Sequence, residues 1–217
     1  MEDTHLSLPS AGKPVAAANQ AFQIAREKLS HVDDVHELCR KSGAKCDDSR
    51  GGAAIALEYL HQPVVVSLPD ADISFDGNLP IREKLLVLHY LLTANGTPLS
   101  GRLITFQELP DGNVYYPTFQ KRSVQPLLSN FGYETEGLLP LAEKLGGKSV
   151  ELGDMAVTVN AFPRVPVTIV VWKGDAEFAA SGSILFDAGI SNYLPTEDIT
   201  VLCETISWKL VRSKPIK

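Results

Sequence analysis

The sequence predicts an α+β domain, a mostly antiparallel sheet with helices packed on it. Three observations carry this. Three apolar runs, 155–159, 165–172 and 183–186, stand close together and are joined by short turns. A parallel crossover needs about a dozen residues, so connections this short favour an antiparallel meander. Segment 80–96, PIREKLLVLHYLLTANG, is apolar almost all round after Lys84, as a buried helix is. Near the C-terminus Ile199, Leu202, Cys203, Ile206 and Leu210 recur at helical spacing, giving one apolar stripe to lay on the sheet.

The elements follow in order. Residues 1–14 carry Pro9, Gly12 and Pro14 without apolar periodicity, which predicts a flexible tail. Residues 15–217 then form a single domain. A helix over 16–30 places Ala18, Phe22, Ala25 and Leu29 on one face. Asp33 is the expected N-cap of a short helix that ends at Gly43. Segments 53–60 and 64–68 read as strands joined through His61-Gln62-Pro63, and 73–75 as a third. Pro80 opens the apolar helix, and 103–108 is a strand before the Asp111-Gly112 turn. Short helices over 124–131 and 138–145 end at Gly132 and Gly146.

Met155–Val159 alternates apolar and polar residues, the pattern of a half-buried strand. Val165–Trp172 is rich in β-branched residues and nearly continuous, which predicts a central strand covered on both faces. Pro163 and Pro166 should stand at its start. Thr196 is the expected N-cap of the last helix, with Glu197 and Asp198 in its first turn.

Composition excludes several classes. At 44% hydrophobic and 21% charged residues the chain is ordinary for a globular protein. Its net charge of −6 disfavours nucleic acid and anionic membranes, which want clustered Lys and Arg. No apolar run reaches the about 20 residues of a membrane span. The first residues show no basic start followed by an apolar stretch, so no secretory signal is expected and the cytoplasm is the expected location. Three cysteines, Cys39, Cys46 and Cys203, suit neither a disulfide framework nor a metal site of about four ligands. All three are expected as free thiols, and no metal site is expected.

Two long stretches, GRLITFQELPDGNVYYPTFQKRSVQPLLSNFG and FPRVPVTIVVWKGDAEFAASGSILFDAGISNYLPTED, together with EKLLVLHYLLTANGTPL, resemble an uncharacterised prokaryotic family, domain of unknown function 3786. The resemblance runs over about 34–210. After the Gly174-Asp175 pair the family carries an acidic residue where Ala176 stands here, followed by Glu177. The resemblance implies a link to anaerobes, and with it to corrinoid and one-carbon metabolism. It implies no activity.

Four constellations are candidates for chemistry. Tyr115, Tyr116, Phe119 and Arg122 crowd aromatic faces beside a guanidinium, which suits a flat or anionic ligand. Arg164 and Trp172 are expected to join them from the sheet. The competing reading makes Tyr116 and Phe119 core residues and Arg122 half of an ion pair. Asp175, Glu177, Asp187, Glu197 and Asp198 form an acidic set that would suit Mg²⁺ or acid–base work if brought together, with Asp175 and Asp187 as the favoured pair. Each also has a local role in a turn or at a helix start. His89, inside the apolar helix, is either a satisfied core residue or an axial ligand to a corrinoid or other tetrapyrrole. The sequence has no GxSxG, P-loop, GxGxxG or HExxH.

The expected function is a non-catalytic binding or accessory module for a small organic ligand, or a protein partner, in anaerobic metabolism. The alternatives are an enzyme using the acidic set and a protein-interaction scaffold.

Overall fold

The computed structural model describes residues 15–47 and 53–215; the tail expected over 1–14 lies outside them. Among the described residues the fold is α+β, with two antiparallel sheets in place of the one expected. The first has the order β1-β2-β3-β4, from β1 (Lys45–Asp47), β2 (Ala54–Tyr59), β3 (Gln62–Ser67) and β4 (Asp72–Phe75). The second has the order β5-β9-β8-β7-β6. It is built from β5 (Leu103–Thr105), β6 (Lys148–Ser149), β7 (Met155–Phe162), β8 (Val165–Trp172) and β9 (Ser181–Asp187). The β-branched run of β8 is the central strand of this sheet, and its middle residues are buried on both faces. Pro166 enters the ladder, paired with Asn160 beside a register shift, where the missing N–H is tolerated.

The helices are α1 (Val15–Ser30), α2 (Val35–Ser42), α3 (Ile81–Thr93), α4 (Gly112–Phe119), α5 (Gln125–Phe131), α6 (Leu138–Glu143) and α7 (Thr196–Arg212). The N-cap of α2 is Asp34, one residue after the expected Asp33; its carboxylate accepts from the Glu37 N–H at 2.8 Å. Gly43 ends the helix in the left-handed conformation. α3 packs on α1, α2 and α7, and Leu85 to Leu91 are all buried, as its all-round apolar sequence requires.

The two sheets meet beside α3. Leu60 N–H donates to the Ala161 carbonyl at 3.0 Å, linking the end of β2 to β7. The Phe162 ring lies 5.0 Å from Tyr59 and 4.3 Å, stacked, from Tyr90 of α3. Burying an aromatic side chain of this kind stabilises by about 1.5–3 kcal/mol, and the stacked pair adds about 0.5–1.5 kcal/mol.

The cysteine expectation is corrected. Cys39 of α2 and Cys46 of β1 are joined as a disulfide, with Cα atoms 6.2 Å apart. The tight turn at Gly43 folds β1 back against α2, which a count of cysteines could not foresee. Cys203 is a buried free thiol, and burial pushes its pKa up. Thiol titration of unreduced, denatured protein is therefore expected to find one reactive thiol, and three after reduction; three without reduction would contradict the pairing.

Candidate functional site

The site starts from a turn the sequence marks strongly. Asp111 adopts a left-handed conformation, φ 56°, which Asp tolerates better than most residues. Its carbonyl accepts from the Val114 and Tyr115 N–H groups at 3.0 and 3.3 Å, starting α4. Gly112 is required here by space: a Cβ would stand 2.1 Å from the Phe106 carbonyl oxygen. Gly112 and Pro117 weaken the helical pattern of 112–119, so α4 leaves little mark in the sequence. A π-helical turn, Gln120–Val124, joins α4 to α5; such turns recur at functional sites.

Successive residues of α4 point in different directions, so its aromatic cluster is divided. Phe119 faces the core, stacked on Phe106 at 3.9 Å and edge-on to Phe186. Tyr116 lies over Phe119 at 6.5 Å, and its hydroxyl accepts from Gln120 Nε2 at 2.6 Å. Tyr115 points elsewhere, and its hydroxyl donates to Glu197 Oε1 at 3.0 Å. That bond, with the Glu197 charge, raises the Tyr115 pKa, since ionising the phenol would set two anions together.

Tyr115 and Glu197 stand on the wall of a cleft of about 480 Å³ lined by Pro110, Asp111, Tyr115, Ser191, Pro195, Thr196 and Glu197. The N-cap of α7 is Pro195, a correction to the expected Thr196. The Thr196 hydroxyl instead donates to the Pro110 carbonyl at 2.7 Å, tying the start of α7 to the α4 turn and closing one side of the cleft. The ionisable lining is acidic: Asp111 and Glu197, with the Tyr115 phenol between. The positive end of the α7 dipole, which would attract anions, is met by Glu197 and Asp198 in its own first turn.

The other sequence candidates are dispersed. Arg122 is half-buried in the π-helical turn, away from the cleft lining. Arg164 and Trp172 flank opposite ends of β8, about 25 Å apart at strand spacing. The Arg164 N–H donates to the Tyr90 hydroxyl at 3.2 Å. Asp175 and Glu177 lie in the β8–β9 connection, while Asp187 ends β9 on the far side, about 20 Å from its start. Asp175 accepts from the Glu177 and Phe178 N–H groups at 2.8 and 2.7 Å. Asp187 accepts four bonds: Ser100 N–H at 3.1 Å, Ser100 hydroxyl at 3.0 Å, Gly101 N–H at 2.7 Å and Gly189 N–H at 2.8 Å. Burial acts to raise its pKa, yet the donors outweigh it and hold the carboxyl below its ordinary value. Among the described residues, no three His, Cys, Asp or Glu converge on a point that could hold a metal.

His89 and Asp198 find each other. Nδ1 lies 2.7 Å from Asp198 Oδ2, with the two side chains 1% and 0% exposed. The pair fastens α3 to the first turn of α7, directly beside Glu197 in sequence. Neither residue had been expected as the other's partner, since nothing in their spacing relates positions 109 apart.

The fold and the cleft thus define an α+β domain with an acidic, aromatic-walled recess at the start of its last helix. The chain belongs to the family described as Domain of unknown function (DUF3786), which matches residues 34–208. No curated protein and no solved structure matches it. Among the described residues no helix is long and apolar enough to cross a membrane.

Proposed function

We propose that this protein is a non-catalytic binding module whose cleft at the start of α7 takes a small organic molecule bearing a cationic group, a primary amine or a guanidinium. The observation that carries the reading is the lining itself: Asp111, Tyr115 and Glu197 around a recess of about 480 Å³, with Pro110 and Pro195 as apolar walls. A few polar groups set in an apolar wall fix the orientation of a bound molecule. An ammonium would bond the Glu197 carboxylate, and Tyr115 would offer it a ring face. The Thr196–Pro110 bond holds the cleft's two sides in place before binding, which lowers the ordering cost of association. His89, engaged by Asp198 in the core, has no part in this reading, so no tetrapyrrole is placed on it.

Calorimetric titration with a panel of small amines and guanidines, ethanolamine to spermidine, tests the reading. A member of the panel should bind, and Glu197→Gln should weaken it by about 1.5–3 kcal/mol, the range for hydrogen bonds to charged groups, with the melting temperature nearly unchanged. Binding that is indifferent to Glu197→Gln, or a preference for carboxylates over amines, would contradict it.

A further inference from the structure

The C-terminal half of α7 meets the start of α3 around a second recess, of about 390 Å³. Val201, Glu204, Trp208, Lys209 and Arg212 recur at helical spacing, which sets them on one face of α7. Pro80, Arg82 and Glu83 bring the opposite wall from the start of α3. The recess shares no lining residue with the cleft at the other end of α7.

Five of its lining residues are charged, and three of these are engaged with neighbours. Lys209 Nζ lies 3.1 Å from Glu83 Oε2, joining the two helices, with the Glu83 side chain 10% exposed. The contact is an ion pair without a directed hydrogen bond to that oxygen. The Arg212 guanidinium sits 5.6 Å from the centre of the Trp208 ring, within reach of a cation–π contact. The two that remain are Arg82 and Glu204. Arg82 Nη2 and Glu204 Oε2 are shielded from water, and neither has a hydrogen-bond partner. Among the described residues no ion pair engages either side chain, with each other or with a third group.

A charged atom out of water without a partner is costly, and native structures hold few of them. Here two of opposite sign line one recess without meeting. Each side chain as a whole is only half-buried, so a turn about its last bonds brings the unpartnered atom to the recess. A molecule that carries a positive and a negative group a few atoms apart satisfies both at once. A simple anion would leave Glu204 unpartnered, and a simple cation would leave Arg82. Pro80, Val201 and the Trp208 ring supply apolar wall around the two charges, and a few polar groups in an apolar wall fix the orientation of a small molecule.

We infer that this recess binds a free α-amino acid with an apolar side chain. The Arg82 guanidinium takes its carboxylate through two parallel bonds, the Glu204 carboxylate takes its ammonium, and its side chain lies against Trp208. The site is separate from the cleft at the start of α7 and does not depend on it.

Calorimetric titration of the Glu197→Gln protein, in which the cleft has lost its carboxylate, tests the inference with L-leucine, L-phenylalanine, glycine, L-glutamate and L-lysine. Leucine or phenylalanine should bind most tightly. The N-acetyl form of that amino acid, which lacks the ammonium, and its amide, which lacks the carboxylate, should each bind at least roughly tenfold more weakly. Adding Arg82→Gln should weaken the amino acid by a similar factor and leave the binding of the amide unchanged. Adding Glu204→Gln should weaken the amino acid equally and leave the binding of the N-acetyl form unchanged. Both variants should keep the circular dichroism spectrum of their parent. No binding, equal binding of the three forms, a preference for glutamate or lysine, or binding indifferent to both substitutions would overturn the inference. Binding present in the wild type and lost in Glu197→Gln would also overturn it, assigning the amino acid to the cleft.

Discussion

Replacing Asp198 by Ala is expected to destabilise the domain by about 3–5 kcal/mol, the cost of removing one member of a buried pair. His89 and Asp198 lie 2.7 Å apart with essentially no exposure. Water cannot take over for the lost carboxylate, so the His89 ring would keep a buried polar nitrogen without its partner. Since α3 carries much of the core and α7 forms one wall of the cleft, the loss would be global. Asp198→Asn, which keeps an acceptor oxygen and the side-chain volume, should cost less than the Ala change. The double replacement His89→Leu/Asp198→Leu should recover a large part, because a packed apolar pair avoids the desolvation of both groups. Urea unfolding of the wild type and the three variants measures these differences, and adding the single His89→Leu and Asp198→Leu changes closes a double-mutant cycle on the pair. A loss below about 1 kcal/mol for Asp198→Ala would remove the pair as a structural fastener.

Replacing Asp187 by Ala is expected to cost about 3 kcal/mol, because its carboxylate satisfies three backbone N–H groups and a hydroxyl. Those bonds tie the segment after α3 to the end of β9, beside two further links, Asn95 to Asn192 at 2.9 Å and the Tyr193 hydroxyl to the Thr97 carbonyl. The same residue gives a pH signature. The folded pKa lies below the ordinary value of 3.8. A depressed carboxylate contributes stability that is fully present above the unfolded pKa and is lost as pH falls through the folded one. The wild type should therefore lose stability as pH drops below about 4, and Asp187→Asn should flatten that limb while lowering stability at neutral pH. Thermal melts from pH 7 to pH 2 would show it; parallel limbs in the two proteins would contradict the assignment.

The sequence predicted what periodicity governs. The β-branched run of 165–172 became the central strand, and the all-round apolar helix became the buried one, because burial on both faces leaves a compositional mark. Its three-strand meander and the last helix were equally legible. What escaped was set by tertiary contact. Asp187 reads as a turn residue in sequence and is a four-bond anchor in space. Phe119 and Tyr115 stood in one aromatic cluster, yet helical rotation sent one to the core and the other to the cleft. Glu197 belonged to an acidic group whose members the fold scattered, and it was paired with Tyr115 from the aromatic one. Only the meeting of these two groups made the site, and no spacing along the chain foretells a contact 82 positions apart. Cys39 and Cys46 were missed for the same reason, at shorter range.

The most direct test of the binding reading is to map where a cationic ligand touches the protein. In ¹⁵N–¹H spectra recorded during titration with the tightest-binding amine of the panel, shift changes should concentrate at 110–116 and 191–198. They should be lost in Glu197→Gln. Shift changes centred elsewhere, or scattered over the acidic surface without saturation, would contradict the account.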